Sequence, residues 1–224
     1  MFGWEFPPHI SGGLGTACYG LTKGLSGFQD VELTFVIPKT WGDEDQSNLT
    51  LLGADKVPVI RRTIQFSDSA TKLDYYALRS ELVPYLGTSE FYELKSKGIS
   101  DNKQLVETAG DGKLIFVGDY GKNLFQEIQN YSMVAETLAG EMEFDLIHVH
   151  DWMTFPGGIA AKRISGKPLV VHIHSTEFDR SGTQVNPAIC AIEKEGMETA
   201  DQIIAVSNFT RNIIISNYHI DPKR

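Results

Sequence analysis

Phe144-Asp145-Leu146-Ile147-His148-Val149-His150-Asp151-Trp152 and Pro168-Leu169-Val170-Val171-His172-Ile173-His174-Ser175-Thr176-Glu177 are two short apolar runs, each closing in a His-x-His pair and a polar tail. Residues 155–164 between them carry helical periodicity, so the pair reads as strand, crossover helix and parallel strand. The alternation continues on both sides. Strands are predicted at 31–38, 144–150, 168–174 and 201–206, and helices at 14–27, 122–141, 155–164, 186–199 and 208–218, the last with Ser207 as its N-cap. Three of the strands are nearly continuous apolar runs, the pattern of strands buried on both faces. Right-handed crossovers then give an α/β fold, a doubly wound, mostly parallel, Rossmann-like sheet.

Residues 42–121 break this rhythm. Two strands near 57–66 and 73–78 are expected to run antiparallel among polar loops, so the stretch reads as an insertion carrying a β-hairpin on a single domain spanning 1–224. Met1-Phe2-Gly3-Trp4 reads as the tail of a first strand, and Asp221-Pro222-Lys223-Arg224 follows a strand–helix unit without a closing element. The chain is therefore expected to be one domain of a longer protein.

Apolar residues make up 42% of the 224, enough for a sizeable core. The net charge is 20 − 29 = −9 with no Lys/Arg run, which argues against nucleic acid and anionic membrane as partners. Neutral carbohydrate is compatible with it. Cys18 and Cys190 lie far apart and outside any Cys-x-x-Cys, and read as two packed thiols in a reducing compartment. No run reaches the roughly 18 apolar residues of a membrane span, and no basic leader opens the chain. A soluble, cytoplasmic protein is the expectation.

Gly3-Trp4-Glu5-Phe6-Pro7-Pro8-His9-Ile10-Ser11-Gly12-Gly13-Leu14-Gly15 falls between the first strand and the first helix. Paired glycines let the backbone approach a ligand and leave N–H groups facing an anion at a helix N-terminus. The alternative is a tight turn that needs Gly for φ > 0. Neither a Walker Lys-Ser/Thr nor the dinucleotide fingerprint is present. Strand alternation puts His148 with His150, and His172 with His174, on one face. Asp151 and His174, at the carboxyl ends of parallel strands, should border the same cleft as Gly12 and Gly13. The His-x-His pairs plus Asp151 also have zinc-ligand chemistry. On buried strands, however, only some of these rings should reach the cleft, with His148 and His172 packing under helices, so no metal is assigned.

Other polar and aromatic groups take plainer readings. Trp152, Met153 and Phe155 read as core more than as a sugar-stacking surface. Asp43-Glu44-Asp45 reads as a solvated loop, and Glu193, Glu195 and Glu198 as the exposed face of a helix. Tyr75, Tyr76, Tyr85 and Tyr92 could line an acceptor surface on the insertion.

In order along the chain, Gly3-Trp4-Glu5-Phe6-Pro7-Pro8 with Gly12-Gly13-Leu14, then His148–Trp152, then His172-Ile173-His174-Ser175-Thr176-Glu177-Phe178-Asp179-Arg180, and finally Glu198-Thr199-Ala200-Asp201 leading into Ala205-Val206-Ser207, form a set. That set resembles the amino-terminal domain of retaining GT-B glycosyltransferases of the glycogen and starch synthase group. The resemblance implies two Rossmann-like domains facing across a cleft, the amino-terminal one taking the α-glucan acceptor and the carboxyl-terminal one most of a nucleotide sugar such as ADP-glucose or UDP-glucose. It implies that Gly12 and Gly13 approach the donor phosphates and the transferred sugar, and that Asp151 bonds sugar hydroxyls. His174 would sit beside the anomeric carbon, its ring and backbone carbonyl steadying an oxocarbenium-like transition state. Arg180 would order this loop or touch ligand. No cofactor or metal is implied, since basic groups and helix dipoles neutralise the leaving diphosphate. Bacterial-type synthases of the group carry Lys two residues before the glycine pair, where this chain has Ile10, which widens the range of donor sugars.

The function expected is glucosyl or related hexosyl transfer to an α-glucan, with the isolated domain inactive. The alternatives are the same chemistry on another sugar or acceptor, a carbohydrate-binding module, and a metal-dependent hydrolase.

Overall fold

The computed structural model describes residues 1–47, 49–59, 112–118, 120–121 and 123–224, together with the backbone of two short strands at 63–65 and 72–74. Met1–Gly3 is the central strand of the main sheet. Phe2 bridges in parallel to Val36 on one side and to Val149 on the other. Its N–H donates to the His148 carbonyl at 2.8 Å, and its carbonyl accepts from His150 N–H at 3.1 Å.

From that centre the chain runs through α1 (Gly13–Leu25) to β1 (Thr34–Ile37) and outward to β2 (Thr50–Gly53). β3 (Thr63–Gln65) and β4 (Lys72–Asp74) form a separate antiparallel pair. α2 (Leu124–Glu141) returns the chain to the other side of the centre, where β5 (Ile147–His150), α3 (Phe155–Ser165), β6 (Leu169–Ile173), α4 (Glu177–Ser181), α5 (Pro187–Thr199), β7 (Gln202–Ala205) and α6 (Asn208–Tyr218) follow. β1 pairs in parallel with β2, and β5, β6 and β7 pair in parallel in that order, with His150 opposite His172. The sheet therefore reads β2, β1, Met1–Gly3, β5, β6, β7. Its winding reverses between Met1–Gly3 and β5, and the crevice beyond the carboxyl ends at such a reversal is where open α/β sheets take ligands.

Period-two alternation divides the core. Val36, Val149 and Val171 join a large cluster with residues of α2, α3, α5 and α6, while Phe35, Ile37 and Leu51 pack with Phe6 and Cys18 beneath α1. Helices thus cover both faces. Tyr131 of α2, completely buried, fastens the sheet where it reverses. Its hydroxyl donates between the carbonyls of Gly3, at 2.9 Å, and Val36, at 2.7 Å. Phe2 and Trp4 stand edge-on to its ring at 5.8 and 5.7 Å.

The structure departs from the sequence expectations at several places. β2 lies inside the stretch read as an insertion yet extends the main sheet in parallel. β7 is not buried on both faces: Gln202 and Ile204 are exposed, and among the described residues it is the edge strand beyond β6. Glu44 is buried and accepts the N–H groups of Trp41, at 2.7 Å, and Gly42, at 2.9 Å, so it organises its loop from inside. Glu193 is likewise buried, whereas Glu195 and Glu198 are exposed as anticipated. Trp152, Met153 and Phe155 are core residues, and Cys18 and Cys190 are free thiols. Ser207 caps α6 by accepting Thr210 N–H at 3.0 Å. Tyr75, Tyr76, Tyr85 and Tyr92 lie outside the described residues. No helix among the described residues is long and apolar enough to cross a membrane.

Candidate active site

The glycine turn leaves the central strand at the point of reversal. Gly12 is the N-cap of α1 with φ −160°, extended backbone open to any residue, and no side chain caps the helix. A Cβ built on Gly12 or Gly13 meets nothing within 4 Å. Gly15 differs: its Cβ would fall 2.3 Å from Ile10 Cγ2, so that glycine is fixed by close packing. The turn therefore does not need φ > 0 at the pair. Its two glycines border open space beside a helix start for which, among the described residues, no side-chain cap is present. Ile10, where the synthases have Lys, is accommodated by Gly15.

Beneath this turn lies Glu5, 5% exposed, which accepts the N–H of Ser11 at 3.2 Å and also the Ser11 hydroxyl. Tyr120 is within hydrogen-bonding reach of both Glu5 and Ser11 and feels the charge of Asp151. Desolvation first, and then the Glu5 contact, push its phenol upward. Cys18 of α1, the helix that this turn opens, has its Sγ within 4.8 Å of ring nitrogens of His150 and His174, so α1 lies against the carboxyl ends of β5 and β6.

Asp151 follows β5 in the left-handed region, with φ 59°, an uncommon conformation for a non-glycine residue. The surroundings hold it there. Its Oδ1 accepts His174 N–H at 2.7 Å, and its own N–H donates to the His172 carbonyl at 3.0 Å. One carboxylate thus ties the end of β5 to the end of β6 and sets where His174 stands. Burial raises its pKa to about 7, against the opposing effect of the His174 and Ser175 N–H groups.

All four imidazoles lie on the α1 face of the sheet, each His-x-His pair sharing that face as strand alternation requires. They form a ladder because parallel register sets His148 and His150 beside His172 and His174. Ring centroids are 4.5 Å apart for His148 and His150, and 4.4 Å for His172 and His174. Nitrogen contacts of 3.3 Å between His148 and His172, and 3.1 Å between His150 and His174, form the rungs. Burial first, then neighbouring imidazoles, lower His148 to about 3 and His174 to about 4. At neutral pH His174 is an uncharged ring.

Arg180 is held among the residues of its own loop and the helix beside it. Its guanidinium donates to Glu193 at 2.7 Å, to Glu177 at 3.3 Å, and to the carbonyl and hydroxyl of Ser175 at 2.9 and 3.0 Å. Glu193 in turn accepts the Glu177 N–H at 2.9 Å and the Tyr218 hydroxyl. This network clamps the loop that follows His174. A capping box between Thr176 and Asp179 starts α4 on that same loop. Thr176-x-x-Asp179 is legible as a helix start in the sequence. Glu193, hidden among helix-face carboxylates, carries no such signal. Glu5 and Tyr120 lack one also, since only the folded turn brings them to the rim.

The chain belongs to glycosyltransferase family 4, whose profile matches residues 108–224, more than half of it. It is also similar to the uncharacterized glycosyltransferase YqgM of Bacillus subtilis (strain 168), at 32% identity over 93 residues, which are 40% of this chain and 26% of that protein. The uncharacterized glycosyltransferase MJ1607 of Methanocaldococcus jannaschii is 35% identical over 85 residues, 37% of this chain and 22% of that protein. In both, the matched stretch covers about a quarter of the relative's length.

Proposed function

We propose that this domain is the acceptor-side half of a retaining glycosyltransferase that moves glucose or a related hexose from a nucleotide sugar to an α-glucan. The observation that carries the reading is the 2.7 Å bond from His174 N–H to Asp151 at the carboxyl ends of β5 and β6; the open space at the Gly12-Gly13 turn supports it. Family membership supports glycosyl transfer in general. The likeness of the ordered motifs to glycogen and starch synthases is what favours a glucan.

In this reading the first N–H groups of α1 face the diphosphate as its bond to the sugar breaks. They are preorganised, so they stabilise the developing charge without reorienting. Asp151 holds the loop that presents His174 and borders the sugar hydroxyls. His174, neutral at pH 7, serves as a hydrogen-bonding neighbour of the anomeric centre and not as a proton donor. Arg180 acts through the loop, by anchoring Ser175 and Glu177. A second Rossmann-like domain completes the cleft and brings the basic groups that meet the diphosphate.

The test is release of nucleoside diphosphate by the full-length protein, screened over ADP-, UDP- and GDP-sugars with and without maltooligosaccharide. Glucan-dependent release from a glucosyl donor is expected. Release from another sugar nucleotide alone would keep the transferase and replace the sugar. No release from any donor, with tight maltooligosaccharide binding, would make this a carbohydrate-binding module.

A further inference from the structure

The histidine ladder has a feature that sugar transfer does not require. Cys18, reaching down from α1, is completely buried, and its Sγ lies with one ring nitrogen each of His150 and His174 so that all three atoms are within 4.8 Å of one another. His150 is also 0% exposed, and its Nε2 has no hydrogen-bond partner among the described residues. A buried ring nitrogen left without a partner loses its hydration with nothing in return, and buried polar groups are nearly always satisfied. A thiol and two imidazoles on fixed elements, one imidazole carrying an unsatisfied nitrogen, form a donor set for a soft divalent ion.

We propose that Cys18, His150 and His174 bind a zinc ion between α1 and the carboxyl ends of β5 and β6. Sulfur and imidazole together select zinc over magnesium or calcium, which prefer oxygen ligands. In a tetrahedral site the donor atoms stand about 3.5 Å apart, so adjustments of about 1 Å in side chains already facing one another close the triad. Binding forms one Zn–S and two Zn–N bonds, and each imidazole coordinates through its unprotonated nitrogen. The thiol proton passes to solvent, so affinity rises with pH. The second triad on the ladder, His148, His150 and His172, also lies within 4.8 Å. It lacks the thiolate that favours zinc. The inference stands apart from the glycosyl-transfer reading, because its readout is metal binding itself.

The experiment uses tag-free, chelator-treated protein titrated with Co²⁺ and then Zn²⁺. One Co²⁺ per chain is expected, with a thiolate-to-cobalt charge-transfer absorption that one equivalent of Zn²⁺ displaces. Cys18→Ser should abolish that absorption and weaken Zn²⁺ binding about a hundredfold. His174→Ala, at a half-buried position that can lose its ring without a large core void, should weaken it similarly, while His172→Ala should leave it within about threefold. No stoichiometric binding by the unaltered protein would overturn the proposal. So would binding that survives Cys18→Ser and His174→Ala, or that disappears in His172→Ala.

Discussion

Replacing Gly13 by Ala separates a glycine kept for the fold from one kept for a ligand. Gly13 opens α1 with helical backbone, and a Cβ there meets nothing within 4 Å. Alanine at a compatible helical position stabilises a protein by about 0.4–1 kcal/mol, chiefly by restricting the unfolded chain. At this chain length that raises Tm by about 1–3 °C. The methyl group, however, would occupy the space the proposal assigns to the diphosphate and transferred sugar. Loss of one close backbone contact to a charged group should weaken donor binding at least tenfold, or about 1.4 kcal/mol. Gly15→Ala is the built-in contrast. Its methyl would meet Ile10 Cγ2 at 2.3 Å and Glu5 Cβ at 3.1 Å, and overpacking of about 1–3 kcal/mol outweighs the gain in helix propensity. Thermal unfolding paired with calorimetric donor titration of the full-length protein reads both terms. A Gly13→Ala protein that is more stable and binds donor as well as before would refute the assignment of the turn.

Three further outcomes follow from the geometry. Tyr131→Phe removes the hydroxyl shared by Gly3 and Val36 at the reversal of the sheet, and should cost about 1–2 kcal/mol in urea unfolding with no change in the m-value. Arg180→Ala leaves the buried Glu177 and Glu193 without their cation. Because the guanidinium is about one-third exposed, the loss should fall near 2 kcal/mol and not the 3–5 of a fully buried pair; Arg180→Lys should rescue little of it, lacking the planar fork. His174→Ala should cut turnover of the full-length enzyme by about a hundredfold or more while leaving its circular dichroism unchanged. Turnover within a few-fold of normal would move the reaction centre elsewhere.

The sheet was legible because its strands are short apolar runs separated by strongly periodic helices, and because Ser207 and the glycine turn punctuate them. β2 escaped for want of length: Thr50–Gly53 contributes two leucines among turn residues, and only its partner β1 identifies it as a strand. That Gly12, Asp151 and His174 each follow a parallel strand at its carboxyl end was readable from topology, and Asp151 and His174 do meet, through the His174 N–H. What topology could not give was the depth of the polar groups. Glu44 and Glu193 read as surface carboxylates in the sequence, and Glu5 as one more residue of the glycine turn, yet each is buried around N–H or O–H donors that only the folded chain supplies. The histidines show the same limit: alternation assigns each pair a face, but register decides that the two pairs stack on each other.

A structure of the full-length protein with intact nucleotide sugar and a maltooligosaccharide bound bears on the whole account at once. The account predicts the transferred sugar against the Gly12-Gly13 backbone, with His174 beside its anomeric carbon and Asp151 at its hydroxyls. A donor seated on the opposite edge of the sheet, away from the carboxyl ends of Met1–Gly3, β5 and β6, would contradict it.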